Sequence, residues 1–119
     1  MKYELTKNFI QYVDKKVYQI KALKNFGYVK AGDLGGYIEN ESNLSQEGNC
    51  WAFEGTQVYD EAKVSENAEV RGFARIYGYA EVSGYAEVSG YAEVYDEAKV
   101  SGYAKICGYA QIGNNCIIN

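Results

Sequence analysis

Alanine recurs every six residues, at 62, 68, 74, 80, 86, 92, 98, 104 and 110, and that strict period decides what the chain can become. Two residues after each alanine stands a β-branched residue: Val64, Val70, Ile76, Val82, Val88, Val94, Val100, Ile106 and Ile112. In a strand, side chains two apart share a face. Each Ala-x-Val unit therefore points two apolar groups one way and a Glu, Lys, Arg or Gln the other. The sharpest unit, Ala80-Glu81-Val82-Ser83-Gly84-Tyr85, repeats unchanged as Ala86-Glu87-Val88-Ser89-Gly90-Tyr91. Glycine lets the backbone bend after each short strand. A helix does not accommodate this pattern, because a period of six smears the apolar positions around its cylinder. Looser copies run back through Thr56/Val58 and Cys50/Ala52 to Leu44 and forward to Cys116/Ile118. About twelve hexads thus cover residues 44–119. The expected fold is all-β: a parallel β-solenoid whose coils bury a core only by stacking.

Residues 18 apart test how many hexads make a coil. Tyr59, Tyr77 and Tyr95 fall on one such ladder, and Ser65, Ser83 and Ser101 on another. Lys63, Glu81 and Lys99 alternate in charge, as stabilising cross-strand neighbours do. Arg75 precedes Glu93 by the same spacing, while Glu69 and Glu87 form a like-charged exception. The tetrapeptide Tyr-Asp-Glu-Ala recurs at 59–62 and 95–98, two 18-residue coils apart. Three-sided coils are expected.

The order seen in Val82-Ser83-Gly84-Tyr85-Ala86-Glu87 resembles the hexapeptide repeat of left-handed parallel β-helices, and the resemblance implies left-handed coiling. The stretch from Lys30-Ala31-Gly32-Asp33-Leu34-Gly35-Gly36-Tyr37-Ile38-Glu39 through Asn43-Leu44-Ser45-Gln46-Glu47-Gly48-Asn49-Cys50-Trp51 is similar to the start of small hexapeptide-repeat proteins of phage and prophage genomes. Those proteins are often labelled transferases or left without a function.

Residues 1–43 do not follow the hexad. Tyr12 to Ile20 reads as a hairpin with its turn at Asp14-Lys15-Lys16. We expect a small β cap over 1–43 that shields the N-terminal edge of a solenoid over 44–119. Net charge is -4 with a pI near 4.9, so a phosphate-tracking surface is not expected. Three cysteines without metal-ligand spacing suggest reduced thiols in a cytoplasmic protein. No leader or membrane-spanning segment is evident.

Acyltransferases that the repeat resembles use a histidine base, and carbonic anhydrases of similar repeat bind zinc through three histidines. This chain has no histidine. No catalytic residue, metal site or cofactor site is therefore assigned, and the chain is expected not to be an enzyme. Glu69, Glu81, Glu87 and Glu93 sit at outward repeat positions, as does the thiol of Cys107, while Cys50 and Cys116 fall in the inward alanine column. Gly32-Asp33-Leu34-Gly35-Gly36 lacks the Lys-Ser/Thr and the helix of a phosphate loop.

What remains is surface. The ladder Tyr59, Tyr77, Tyr95 is the candidate binding face, since tyrosine offers large rigid area with a polar tip. Ladder packing alone is the structural alternative. Ile117 and Ile118, in the last coil, are candidate contacts for a homo-oligomer. The favoured function is a non-catalytic binding or scaffold protein of phage origin, inhibiting a host defence or nucleic-acid enzyme through a protein partner. The alternative is an atypical or degenerate hexapeptide-repeat acyltransferase. Direct nucleic-acid and membrane contacts are not expected.

Overall fold

The computed structural model describes residues 1–119. Apart from one turn of 3-10 helix at Glu41–Asn43, its regular structure is all β. Three longer strands come first: β1 (Tyr3–Gln11), β2 (Lys16–Ala22) and β3 (Leu34–Ile38). Twelve two-residue strands follow at hexad spacing. They are β4 (Trp51–Ala52), β5 (Gln57–Val58), β6 (Lys63–Val64), β7 (Glu69–Val70), β8 (Arg75–Ile76) and β9 (Glu81–Val82), then β10 (Glu87–Val88), β11 (Glu93–Val94), β12 (Lys99–Val100), β13 (Lys105–Ile106), β14 (Gln111–Ile112) and β15 (Ile117–Ile118).

Every third short strand pairs in parallel. The three walls run β3-β5-β8-β11-β14, β4-β7-β10-β13 and β6-β9-β12-β15. Partners such as Lys63, Glu81 and Lys99 lie 18 residues apart, so the three-sided coil expected from the sequence is the one observed. The inward columns are sealed: every Ala and Val/Ile repeat residue from Ala62 to Val100 is at most 1% exposed. Burying a valine contributes roughly 1.5–3 kcal/mol relative to leaving it exposed, and the stacked coils multiply that term.

The charge ladders obey cross-strand logic, including the one exception. Glu69 and Glu87 are indeed paired neighbours. Glu69, however, accepts from Arg71 Nε at 2.9 Å and Nη2 at 2.7 Å, and Glu87 has Lys105 on its other side. Each carboxylate thus has a cation close by.

The hairpin differs from its expectation in extent, its strands running Tyr3–Gln11 and Lys16–Ala22. The turn spans Tyr12 to Lys15, closed by the Tyr12 N–H to Lys15 C=O bond at 2.8 Å, and the first strand begins at Tyr3. A register shift between Leu5 and Phe9 breaks the alternation that would have disclosed this strand. β3 is a seam, antiparallel to β2 and parallel to β5. Its glycines let it approach the first coil: a Cβ on Gly35 would stand 2.6 Å from the Ala52 carbonyl oxygen. That close approach gives the Gly-Gly pair a packing role.

The first coil departs from the hexad between Leu44 and Ala52, which hold equivalent inward positions eight residues apart; Leu44 bridges Val64 and Ala52 pairs with Val70. The two extra residues make a loop that receives the N-terminus. Gln46 Oε1 accepts from the N–H of Lys2 at 2.8 Å and of Tyr3 at 3.2 Å. The buried Lys2 ammonium donates to the carbonyls of Cys50 at 2.8 Å, Gly48 at 3.2 Å and Glu47 at 3.4 Å. Trp51 packs between Tyr3 and Phe26 with ring centroids 6.1 and 5.3 Å away. Carbonyls that would otherwise face no lower coil are satisfied by a side-chain cation. At the opposite end, Cys116 holds its inward column in the last of these coils and is exposed.

Candidate functional site

The aromatic ladders form as the 18-residue register requires. Tyr59, Tyr77 and Tyr95 stack with centroids 5.2 and 5.4 Å apart and planes within 10°. Phe73, Tyr91 and Tyr109 form a second stack, and Tyr85 with Tyr103 a third, all at 5.2 Å. On the candidate ladder both faces of Tyr77 are covered by its neighbours. Tyr12 of the hairpin leans on Tyr59 at 6.0 Å, and the Gly113 backbone lies over Tyr95, where a Cβ would come within 2.5 Å of Cε2. A molecule meeting this ladder therefore finds ring edges and hydroxyls. One hydroxyl is engaged already, Tyr77 donating to Glu93 Oε1 at 2.8 Å. Burial first, and then this carboxylate, hold the Tyr77 phenol above its ordinary pKa.

One corner tyrosine breaks the stacking rule. Tyr79 has Glu61 one coil below and Glu97 one coil above, so its ring has no aromatic neighbour and the residue is 64% exposed. Three shallow depressions adjoin it. The first, about 410 Å³, is lined by Tyr79, Glu81, Glu97, Lys99, Asn115 and Ile117. A second adds Asp96 and Asn114, and a third, on the hairpin side, adds Lys15, Glu39, Asp60 and Glu61. The hairpin tip is fixed there by an ion pair between Lys15 and Asp60 and by a Tyr12 to Gln57 hydrogen bond.

In this groove carboxylates, an ammonium and an amide from three successive coils converge. Glu81 and Glu97 are carboxylates able to accept a proton. Lys99 and the Asn115 amide are donors able to face a developing oxyanion. Sequence reasoning passed over it because each residue taken alone is an ordinary outward or corner position. The available signal was the lone Tyr79 in a column of Glu61, Glu97 and Asn115. Of the other residues singled out, Cys107 is exposed on a corner, Ile117 borders the groove, and Ile118 is half-buried in the last coil. No cluster of His, Cys, Asp and Glu is arranged to hold a metal ion.

The fold and this groove define a three-sided β-solenoid of hexad coils with a polar depression on one corner. No protein-family model matches the chain. Over 36 residues, 30% of its length and as long as two coils, it is 50% identical to a protein of Escherichia coli (strain K12) named Uncharacterized acetyltransferase YdcK. The matched stretch is 11% of that relative. The likeness corrects the expectation that the chain is not an enzyme, since this relative is named for a catalysed reaction. The physical basis of that expectation was the missing histidine. A carboxylate can also take a proton from an acceptor, and the groove supplies two. No helix is long and apolar enough to cross a membrane.

Proposed function

We propose that the chain is an atypical hexapeptide-repeat acyltransferase whose proton acceptor is a carboxylate of the Tyr79 groove. The observation that carries this reading is the 36-residue likeness, at 50% identity, to a protein named an acetyltransferase, on a chain folded as a β-solenoid. In the reaction an acceptor amine or hydroxyl attacks the carbonyl carbon of an acyl thioester. Its proton passes to Glu81 or Glu97, and the carbonyl oxygen gains negative charge beside Lys99 and Asn115; the C–S bond then breaks as the carbonyl re-forms, and the leaving thiolate takes the proton back from the carboxyl to depart as the thiol. The reading that the sequence favoured, a non-catalytic binding or scaffold protein of phage origin, has no observation in its favour, and the likeness supports what was the alternative.

Acetyl-coenzyme A is the probe, with thiol release followed across a panel of small amines and alcohols. The expected result is acceptor-dependent thiol release that falls at least a hundredfold when Glu81→Gln and Glu97→Gln are combined. Undiminished turnover in that double variant would move the chemistry elsewhere. Neither turnover nor a ligand-induced rise in unfolding temperature at millimolar acetyl-coenzyme A would overturn the acyl-transfer reading.

A further inference from the structure

Two buried reactive groups at the seam between the hairpin and the first coil take no part in the proposed reaction. They are the Lys2 amine and the Cys50 thiol, on residues 1% and 0% exposed. Cys50 stands on the ladder that carries Ala68, Ala86 and Ala104 in the coils above, so a methyl group is enough to fill this column. The thiol is surplus to packing. Lys2 Nζ lies 3.4 Å from its sulfur. The same nitrogen donates to the carbonyls of Cys50, Gly48 and Glu47, three acceptors for the three hydrogens of an ammonium, and the Phe26 ring covers it with its centroid 4.9 Å away. The sulfur is thus a fourth neighbour that the ammonium does not need, and the surrounding cage holds amine and thiol in contact.

We infer that Lys2 and Cys50 form a covalent modification site, at which oxidation by a peroxide joins Nζ to Sγ in a sulfenamide bond. While both groups are seated, the thiol is shut away from oxidant. Burial also holds it above its ordinary pKa, so the reactive thiolate is scarce. Local opening, with β1 lifting from residues 45–50, exposes it. The thiolate then attacks the O–O bond of the peroxide. Sulfur gains a hydroxyl group and is oxidised by two electrons, and the other oxygen leaves as water, leaving Cys50 a sulfenic acid. On reclosure Lys2 returns, and burial lowers its pKa, which favours the free amine. The nitrogen lone pair attacks sulfur, the S–O bond breaks, and the departing hydroxide takes a proton from nitrogen to leave as a second water. Thiol, amine and one hydrogen peroxide thus become one S–N bond and two waters.

Geometry closes the other condensations open to a sulfenic acid. A disulfide would need Cys107 or Cys116, both free and three or more coils above, roughly 14 Å away at one strand spacing per coil. Ring closure onto the following backbone nitrogen would need the Trp51 N–H, which donates to the Ala68 carbonyl at 3.1 Å inside the wall. The Lys2 amine remains. The link would tie residues 48 apart and fasten β1 to the first coil. An external thiol reverses it by attacking sulfur and releasing the amine.

The test uses the full chain with Cys107→Ser and Cys116→Ser, treated with millimolar hydrogen peroxide and followed by intact mass and peptide mapping. The chain is expected to become lighter by two hydrogen atoms, with the peptides carrying Lys2 and Cys50 joined, and to regain its mass and its thiol in dithiothreitol. The linked chain should unfold at a higher urea concentration than the reduced one, a shift that dithiothreitol abolishes. Lys2→Arg keeps a cation among the carbonyls, but its guanidinium stays protonated and is no nucleophile. It should lose the link, and dimedone, a trap for sulfenic acids, should then label Cys50 at least tenfold more than in the parent. If the arginine chain does not fold, the peptide map of the parent carries the test. Cys50 remaining a free thiol, or gaining oxygen while Lys2 stays unjoined, overturns the inference. So does a link formed in equal yield by the chain unfolded in urea, where no cage holds the two groups together.

Discussion

Replacing Gly90 and Gly108 in turn by alanine and by aspartate separates the energy of coil-on-coil contact from that of the corner itself. The two glycines have the same backbone, with φ of +67° and +65°. A side chain in this left-handed region costs about 1–2 kcal/mol, offset by about 0.4–1 kcal/mol from a less mobile unfolded chain. Those terms are common to both sites. The surroundings differ: a Cβ on Gly90 would stand 2.8 Å from the Gly108 nitrogen and 2.9 Å from its oxygen, whereas a Cβ on Gly108 meets nothing within 4 Å. Gly90→Ala should therefore destabilise by about 1 kcal/mol more than Gly108→Ala, at the low end of overpacking. Aspartate reverses part of this. At the equivalent corner Asp60 Oδ2 accepts from the Gly78 N–H at 3.1 Å, and Asp96 Oδ2 from the Asn114 N–H at 2.9 Å. Asp at 90 would accept from Gly108, a charge-assisted bond worth about 1.5 kcal/mol, while Asp at 108 finds no donor above it. The advantage of Asp over Ala should thus exceed its value at 108 by about 1–2 kcal/mol when measured at 90. Urea unfolding in dilute solution, followed by fluorescence of Trp51, reads each variant. A difference within about 0.3–0.5 kcal/mol, the ordinary scatter of additive sites, would refute the claim that a carboxylate at this corner ties one coil to the next.

The phenol of Tyr77 is held neutral by burial and by Glu93, so its folded pKa lies above the unfolded value of about 10. Stability from this group is fully present below pH 10 and is lost as pH rises through the folded pKa. Tyr77→Phe should flatten the alkaline fall in urea midpoint while lowering stability near neutral pH by about 1 kcal/mol for the lost hydrogen bond; identical alkaline slopes in the two proteins would contradict this. Lys2→Met strips the donor from the carbonyls of Cys50, Gly48 and Glu47. It should cost about 2 kcal/mol, with Trp51 emission shifting to the red before global unfolding. An unchanged midpoint would show that water serves those carbonyls as well as the ammonium does.

The solenoid was legible in the sequence because its instructions are local and repeated. Ala68-Glu69-Val70 specifies a strand, an inside and an outside without reference to anything distant, and the 18-residue ladders follow from counting. The cap was less legible because its partners are distant. Nothing in Met1-Lys2-Tyr3 announces that Lys2 will donate to carbonyls near residue 50, or that Tyr12 will lie on Tyr59. The eight-residue step from Leu44 to Ala52 is likewise intelligible only once the N-terminus is seen to occupy it. The Tyr79 groove was hidden for another reason: its residues come from three successive coils, and each obeys the local rule for its position.

The two inward columns are nearly the same on all three walls. The core therefore holds no memory of which wall a given hexad belongs to, and that information resides entirely in the outward and corner residues. An insertion of six residues anywhere in the regular coils would leave the alanine and valine columns filled. Every surface ladder beyond it would advance by one wall, so that the rings of Tyr95 would leave their stack while the interior continued undisturbed. The twin hexads 80–85 and 86–91 have the form that one such duplication would leave. In a chain of this kind, slippage during gene replication becomes a way of re-addressing a surface, and copy number becomes a variable as consequential as the identity of any single residue.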